Sequence, residues 1–517
     1  MKKLLILLFI TTVLFSCSDQ DITKIEDGSV LKTNFAETMR TFAGDSLILE
    51  NPYSLENMRL ALNTIKNKDK SSSYLSAENF QINASHLYIK FKPRNEEEEG
   101  LLKADSTMYL FDYRLDVEYK SSFLENRPVT GDSIPEYYTA IPIDKALPNV
   151  PYETLEQLYI PEQDIYFANT QEIEKYLIND KINNKTDLFN HLIFNAFVQT
   201  NNEDEVLEPG STATQRWFFG RRWTPKGTIR IWDDLYKEIP LEGAKILMRQ
   251  WFTVDSGITG ANGYFQTGTV RGHARYILQW ERYQYSIRSG SGGQAERRGP
   301  NLKNQDWNYI ITNGTHDEYY GHIHRAAHHY YYKYIHQLNR PHQNGFWNPQ
   351  MKIAAKFEPN SSINASHTSN YFNPFGVFNK IRVYNPQNDS FDVYGTVIHE
   401  LAHSSHFSAN KVKFRNTDTK VIESWAKGVQ WSLTKMVYPD YYTGQYLPNY
   451  TLVVRDLIDN DNKYGYSGLL FENTKDYTIK QIENSLGKTW NEWKTNIIND
   501  HDNNTEQYVE STFNYWN

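Results

Sequence analysis

His399-Glu400-Leu401-Ala402-His403, led in by Val393-Tyr394-Gly395-Thr396-Val397-Ile398, is the stretch on which the reading of this chain turns. The lead-in is largely apolar and free of proline, so it runs into a helix. On a helix, residues at i and i+4 lie on one face, one turn apart. The ring nitrogens of His399 and His403 can therefore converge on one zinc ion. Glu400 sits beside them, near enough to hold and deprotonate a water at that ion. The plainer reading of the same five residues is an amphipathic helix with two partly buried histidines.

A catalytic zinc takes three protein ligands and keeps a fourth position for water. His406 continues the same helix face, but i to i+7 covers about 10 Å along the axis, too far for one ion. Asp418 is a second candidate. Glu423 is the third, twenty residues after His403, in Val421-Ile422-Glu423-Ser424-Trp425-Ala426. That stretch reads as the start of a second helix.

A His-Glu-x-x-His pair followed by a glutamate at this distance resembles the gluzincins, the thermolysin-like and aminopeptidase-like metallopeptidases. Glu423-Ser424-Trp425-Ala426 is similar to the Glu-Gly-Phe-Ala of the aminopeptidase branch. The resemblance implies that Glu423 joins His399 and His403 on one Zn2+ per chain, with Glu400 as the catalytic base and a peptide or protein as substrate. It implies a zincin-like α+β catalytic domain over residues 302–517. It also implies an edge strand along the cleft, for which Ser362–Ser366 is the candidate, followed by a strand at Lys380–Tyr384. Such enzymes often stabilise the oxyanion with a tyrosine or histidine, and Tyr464 or Tyr466 is the expected residue. The sequence departs from the pattern at position 427. There the thermolysin branch places an aspartate that supports a ligating histidine, and this chain has Lys427. The metzincin continuation is missing, since His406 stands in its glycine position and Ala409 in its histidine position. No Gly-x-Met-Glu-Asn strand is present, which favours endo-action.

Seven of the 15 histidines fall between His316 and His342. Tyr319–Leu338 reads as a long helix ended by Pro341. His322, His329 and His336 recur on one face, but no acid or cysteine completes a second metal site, so this is expected to be a packing helix.

Working back along the chain, Ser289-Gly290-Ser291-Gly292-Gly293 opens a stretch expected to be a flexible linker, residues 291–301. Before it, residues 216–290 hold short alternating strands at close spacing, as in a small β-sandwich. Pro240-Leu241-Glu242-Gly243-Ala244 and Thr259–Phe265 resemble the P-L-x-G-A and T-x-x-x-G-x-F pattern of the carboxypeptidase regulatory-like (transthyretin-like) domain. Residues 46–215 are expected to form a mixed α/β N-terminal domain without a chemical constellation. Within it, Ser54–Lys66 reads as a capped helix and His86–Lys92 as a strand. Glu96–Glu99 reads as a solvated loop, and Leu155–Ile160 as a helix ended by Pro161. The fold class expected is thus multidomain α+β.

Met1-Lys2-Lys3 and the apolar run Leu4–Phe15 read as a secretory signal peptide, residues 1–16. A run of twelve residues is too short to span a bilayer permanently. Leu14-Phe15-Ser16-Cys17 resembles a bacterial lipobox, which implies cleavage before Cys17, its lipidation, and anchoring through a polar tether over 17–45. Ser18-Asp19-Gln20-Asp21 resembles the surface-export signals of Bacteroidetes-type lipoproteins. The expected location is therefore extracytoplasmic, at the outer membrane or cell surface.

Composition narrows the classes further. The 517 residues carry 54 Lys+Arg against 62 Asp+Glu, a net charge of −8, which argues against a nucleic-acid partner. The single cysteine excludes an internal disulfide or a cysteine-based zinc site, so only histidines and carboxylates remain as ligands. The 12 Trp, 37 Tyr and 26 Phe keep a second function open: a surface lipoprotein that captures glycan or protein on aromatic platforms, with a non-catalytic zincin-like domain.

Overall fold

The computed structural model describes residues 46–68, 81–119, 134–161, 185–206, 223–270, 272–290, 293–345, 349–357, 381–384, 389–442, 448–459, 474 and 476–517. Cys17, Ser362–Ser366, Tyr464 and Tyr466 lie outside the described residues. Ile48–Asn517 is a compact unit. The candidate site and every element supporting it belong to it, an α+β assembly with several separate sheets.

Helix α1 (Leu55–Lys68) starts where expected, with the Ser54 hydroxyl accepting the Asn57 N–H at 3.1 Å. Strand β1 (His86–Phe91) also appears as expected. Glu96–Glu99 does not form the expected solvated loop. These residues open helix α2 (Glu96–Ala104), whose first turn is favourable for acids beside free N–H groups. Glu99 is buried against Lys352 and Arg288, cations supplied from far along the chain. Strand β1 is the centre of a three-stranded antiparallel sheet with β2 (Tyr137–Pro142) and β3 (Tyr152–Leu158). The expected helix at Leu155–Ile160 falls largely within β3. Backbone pairing with β1, from His86↔Leu158 to Phe91↔Tyr152, overrides the local helical pattern. Helix α3 (Lys185–Gln199) shares a core with α1, including Met58, Leu62, Ile193 and Phe197.

The middle of the chain is β-rich. Strands β4 (Lys226–Asp233), β5 (Lys237–Pro240), β6 (Lys245–Gln250), β7 (Thr253–Ile258), β8 (Tyr264–Gln266), β9 (Ala274–Gln279) and β10 (Tyr285–Ser289) follow in order. After them come β11 (Gly293–Gln294), β12 (Glu296–Leu302) and β13 (Trp307–Ile311). One sheet has the order β8-β4-β13, with β5 also on β4; another runs β12-β9-β6-β7. The stretch 291–301, expected as a flexible linker, therefore supplies β12, paired antiparallel with β9 from Ala274↔Leu302 to Gln279↔Glu296.

Helix α4 (His316–Tyr332) ends before the expected Leu338, and His336 and Gln337 adopt left-handed backbone just beyond it. Its histidines are engaged with neighbours, as a packing helix requires. His324 bonds the Tyr285 hydroxyl and the Glu242 carbonyl, and His329 bonds the Tyr394 hydroxyl. Strands β14 (Met351–Ala355) and β15 (Ile381–Val383) extend parallel from β10. The two long helices follow, α5 (Ser390–Ala409) and α6 (Thr419–Lys435). After them come α7 (Val453–Ile458), α8 (Ile479–Asn484), α9 (Trp490–Asp500) and α10 (Val509–Tyr515). One hydrophobic core joins Ile231 and Trp280 of the β-rich part to Val397, Trp425 and Phe513 of the helical part. Each fully buried aliphatic side chain in it contributes roughly 1.5–3 kcal/mol.

Candidate metal centre

Helix α5 is buried along most of its length, with Val393, Val397, Ile398, Leu401 and Ala402 all in the core. Its start is fixed by the turn after β4, where the Asp234 carboxylate accepts the Ser390 N–H at 2.7 Å. Its far half is pinned to the segment after α4. There the Ser404 hydroxyl accepts the His342 N–H at 3.1 Å, and Ser405 donates to the Asn339 carbonyl at 2.6 Å. Asp418, just before helix α6, donates its N–H to the Lys488 carbonyl at 2.7 Å. Helix α6 lies alongside α5, and Trp425, Ala426 and Val429 bury its inner face.

This packing brings three side chains together. His399 Nε2 is 3.1 Å from Glu423 Oε2, His403 Nε2 is 3.2 Å from the same oxygen, and the two Nε2 atoms are 3.1 Å apart. His399, His403 and Glu423 are all buried, and Glu400 is 2% exposed. Ligand atoms around a tetrahedral ion with bonds of 2.0–2.1 Å stand roughly 3.3–3.4 Å apart. The observed triangle is close to that size, and two ring nitrogens plus a carboxylate oxygen are a suitable donor set for a divalent ion. Among the described residues this is the one group of three or more His, Cys, Asp or Glu side chains with converging ligand atoms. The group can bind a metal ion. Burial would raise the Glu423 carboxyl, but His403 and His399 outweigh it and hold it well below the usual carboxylate range.

The other sequence candidates separate from this group. His406 stays on α5 with its ring edge-on to Phe414 at 4.8 Å, and burial, then His403, pushes its imidazole down to about 3. Asp418 serves as the N-cap residue of α6. Lys427 is buried one turn beyond Glu423, and burial lowers its amine to about 8. Of the C-terminal tyrosines, Tyr438 is held by Asp233 and Arg325, and Tyr441 bonds Gln430.

Tyr450 is the residue that sequence reasoning missed. Its ring stacks on His399, with centroids 6.0 Å apart and planes at 22°. Burial, then the charges of Glu423 and Glu400, hold its phenol above the ordinary tyrosine range, so it remains a donor. No periodicity marks it, because it lies in a turn 27 residues beyond Glu423. Among the described residues, no helix is long and apolar enough to cross a membrane. Compared with protein-family models, curated proteins and solved structures, the chain matches none of them.

Proposed function

We propose that the chain is a zinc-dependent peptidase, acting outside the cytoplasm from a lipid anchor at Cys17. The observation that carries the reading is the triangle of His399 Nε2, His403 Nε2 and Glu423 Oε2, with sides of 3.1–3.2 Å. With no cysteine available there, a histidine and carboxylate set suits zinc with an open fourth position. Bound zinc supplies Lewis acidity toward a water and a substrate carbonyl.

The chain's own residues do the rest. His399 and His403 present their imidazole Nε2 atoms from one helix face, and Glu423 adds a carboxylate oxygen from the neighbouring helix. Glu400 follows His399 directly and is shielded from bulk water, so its carboxylate takes a proton from the attacking water. It then gives that proton to the amine nitrogen as the peptide C–N bond breaks. The buried setting strengthens each electrostatic contact.

The test is metal analysis of the purified chain together with hydrolysis of an unfolded protein substrate. About one zinc per molecule is expected, with Glu400→Gln keeping the metal and losing hydrolysis. A wild-type chain with neither zinc nor peptidase activity overturns the proposal and leaves the glycan- or protein-binding reading.

A further inference from the structure

We propose that the cleft between α2 and one face of the β12-β9-β6-β7 sheet binds a small organic carboxylate, with the Lys245 ammonium as its counter-ion and the Gln279 amide as its hydrogen-bonding partner. The site uses no residue of the metal centre and does not rest on the peptidase reading.

The sheet sets the geometry. Lys245 opens β6 and stands opposite Gln279 of β9 on one side and Ile258 of β7 on the other. Residues directly opposite on adjacent strands share a face, so a cation, an amide and an aliphatic side chain form one row. Leu247, two residues along β6, and Ser256 opposite it continue that face. The facing wall comes from α2 and the residues after it, including Lys103 and Tyr109, and from Glu281, Arg282 and Tyr283 beyond β9. Together they bound a cleft of about 260 Å3. Drug-sized ligands occupy roughly 300–1,000 Å3, so this space suits a ligand the size of one sugar or a dipeptide.

The carboxylates of the wall are already paired. Lys103 Nζ donates to both oxygens of Glu281, at 3.0 and 3.1 Å, and the Gln350 amide donates to Glu281 at 3.2 Å. Asp105 pairs with Lys145 at 2.7 Å. Lys245 is half-buried and forms no hydrogen bond or ion pair with any described residue; its amine lies 6.0 Å from the centre of the Tyr109 ring. Arg282 is committed to the Gly243 carbonyl at 2.6 Å and lies over the Tyr332 ring. Gln279 is 3% exposed, and its side-chain amide has no hydrogen-bond partner among the described residues. Buried polar groups are as a rule hydrogen-bonded. An unpaired amide beside an unpaired ammonium therefore marks the place of a ligand that accepts from both.

The unpaired groups are one cation and one neutral amide, which suits an anion and not a metal ion. Burial lowers the Lys245 amine; Glu281 opposes this, and Lys103 and Arg282 add to it. An anion on Lys245 supplies the missing negative charge. A carboxylate does so while accepting from Lys245 with one oxygen and from the Gln279 amide with the other. Leu247, Ile258 and the Tyr283 ring are left for the less polar side of the ligand. An acidic sugar and a peptide C-terminus both carry this chemistry.

The experiment titrates the full chain by isothermal calorimetry with sodium D-glucuronate and with N-acetyl-Ala-Ala. D-glucose and N-acetyl-Ala-Ala amide are the uncharged controls. At least one carboxylate is expected to bind at a single site, and which one binds identifies the source. Its uncharged counterpart and the Lys245→Met variant are each expected to bind roughly tenfold more weakly or worse, as loss of a charge-assisted hydrogen bond implies. Gln279→Leu should weaken binding in the same direction. A second readout needs no variant: acetic anhydride labelling of wild type, followed by peptide mass spectrometry. The carboxylate should protect Lys245 and leave the exposed Lys488 unprotected. Failure of both carboxylates to bind wild type, undiminished binding to Lys245→Met, or unchanged labelling of Lys245 overturns the proposal.

Discussion

Arg325 of α4 places its guanidinium 2.7 Å from the Asp233 carboxylate at the end of β4; Asp233 is fully buried and the Arg325 side chain is 12% exposed. Tyr438, just past α6, completes the cluster, donating to the same carboxylate oxygen at 2.6 Å. Burial would raise the Asp233 carboxyl, but Arg325, the Tyr438 hydroxyl and the Tyr236 N–H together more than offset this and hold it below its ordinary range. The cluster ties the β-rich part of the core to α4 and to the segment just past α6. Arg325→Met leaves a buried carboxylate without its cation and is expected to cost about 3–5 kcal/mol. Adding Asp233→Asn should recover part of that loss, because the stranded charge is removed. Urea unfolding of both variants checks this, and an Arg325→Met loss below about 1 kcal/mol is incompatible with the cluster acting as an internal tie.

A second buried cluster makes stability depend on pH in a defined window. Burial would raise the Glu99 carboxyl, but Lys352 and then Arg288 pull it down to about 2. A depressed carboxyl stabilises the fold at pH values above its unfolded pKa, about 4.3 for glutamate. That contribution is lost as pH falls from there toward about 2. Glu99→Gln is therefore expected to be several kcal/mol less stable than wild type at pH 7, with the gap narrowing below pH 4. Chemical denaturation at a series of pH values from 7 to 2.5 reads the difference. A gap independent of pH would show that the carboxylate charge is not what holds α2 in place.

The same cluster explains why the sequence was misread at Glu96–Glu99. Four consecutive glutamates look solvated unless their cations are known, and Arg288 and Lys352 are distant in sequence. Leu155–Ile160 was misread for a related reason, since its pattern permits a helix and only pairing with β1 selects a strand. The stretch 291–301 looks like a linker from its glycines, yet β9 offers it an edge to pair with. His399, Glu400 and His403 were legible because helical periodicity is local, and Glu423 because it heads the next amphipathic helix. Tyr450 was not legible, because its place depends on how Ser424 and Val454 pack across α6.

Gly428 is where that packing is tightest on α6. A Cβ at this position would overlap the Val454 side chain, whose Cβ and both methyls lie closest. Gly428→Ala raises helix propensity by roughly 1 kcal/mol, yet the collision costs typically 1–3 kcal/mol by forcing α7 outward. The net expectation is a modest loss of stability. Val454→Ala removes the colliding methyls, so the double variant should be more stable than the sum of the two single effects. Thermal melts of the four proteins of this cycle give the coupling, and strict additivity would mean that the two residues do not meet.

Metal should stabilise the folded chain because the three ligands are assembled only there. A ligand that binds the native state alone adds about 2.7 kcal/mol when its free concentration is 100 times its Kd. Adding Zn2+ to metal-free wild type is therefore expected to raise the melting temperature by several degrees, and a strong chelator should reverse the rise. His403 and His406 lie three residues apart on α5, are both buried, and give the discriminating pair. His403→Ala removes a corner of the triangle and should abolish the Zn2+-dependent rise. His406→Gln touches a ring that packs on Phe414 instead, so it should lower the melting temperature of the metal-free protein while leaving the rise intact. Differential scanning calorimetry with and without Zn2+ separates the two, and a rise that survives His403→Ala but not His406→Gln would place the ion elsewhere on the helix.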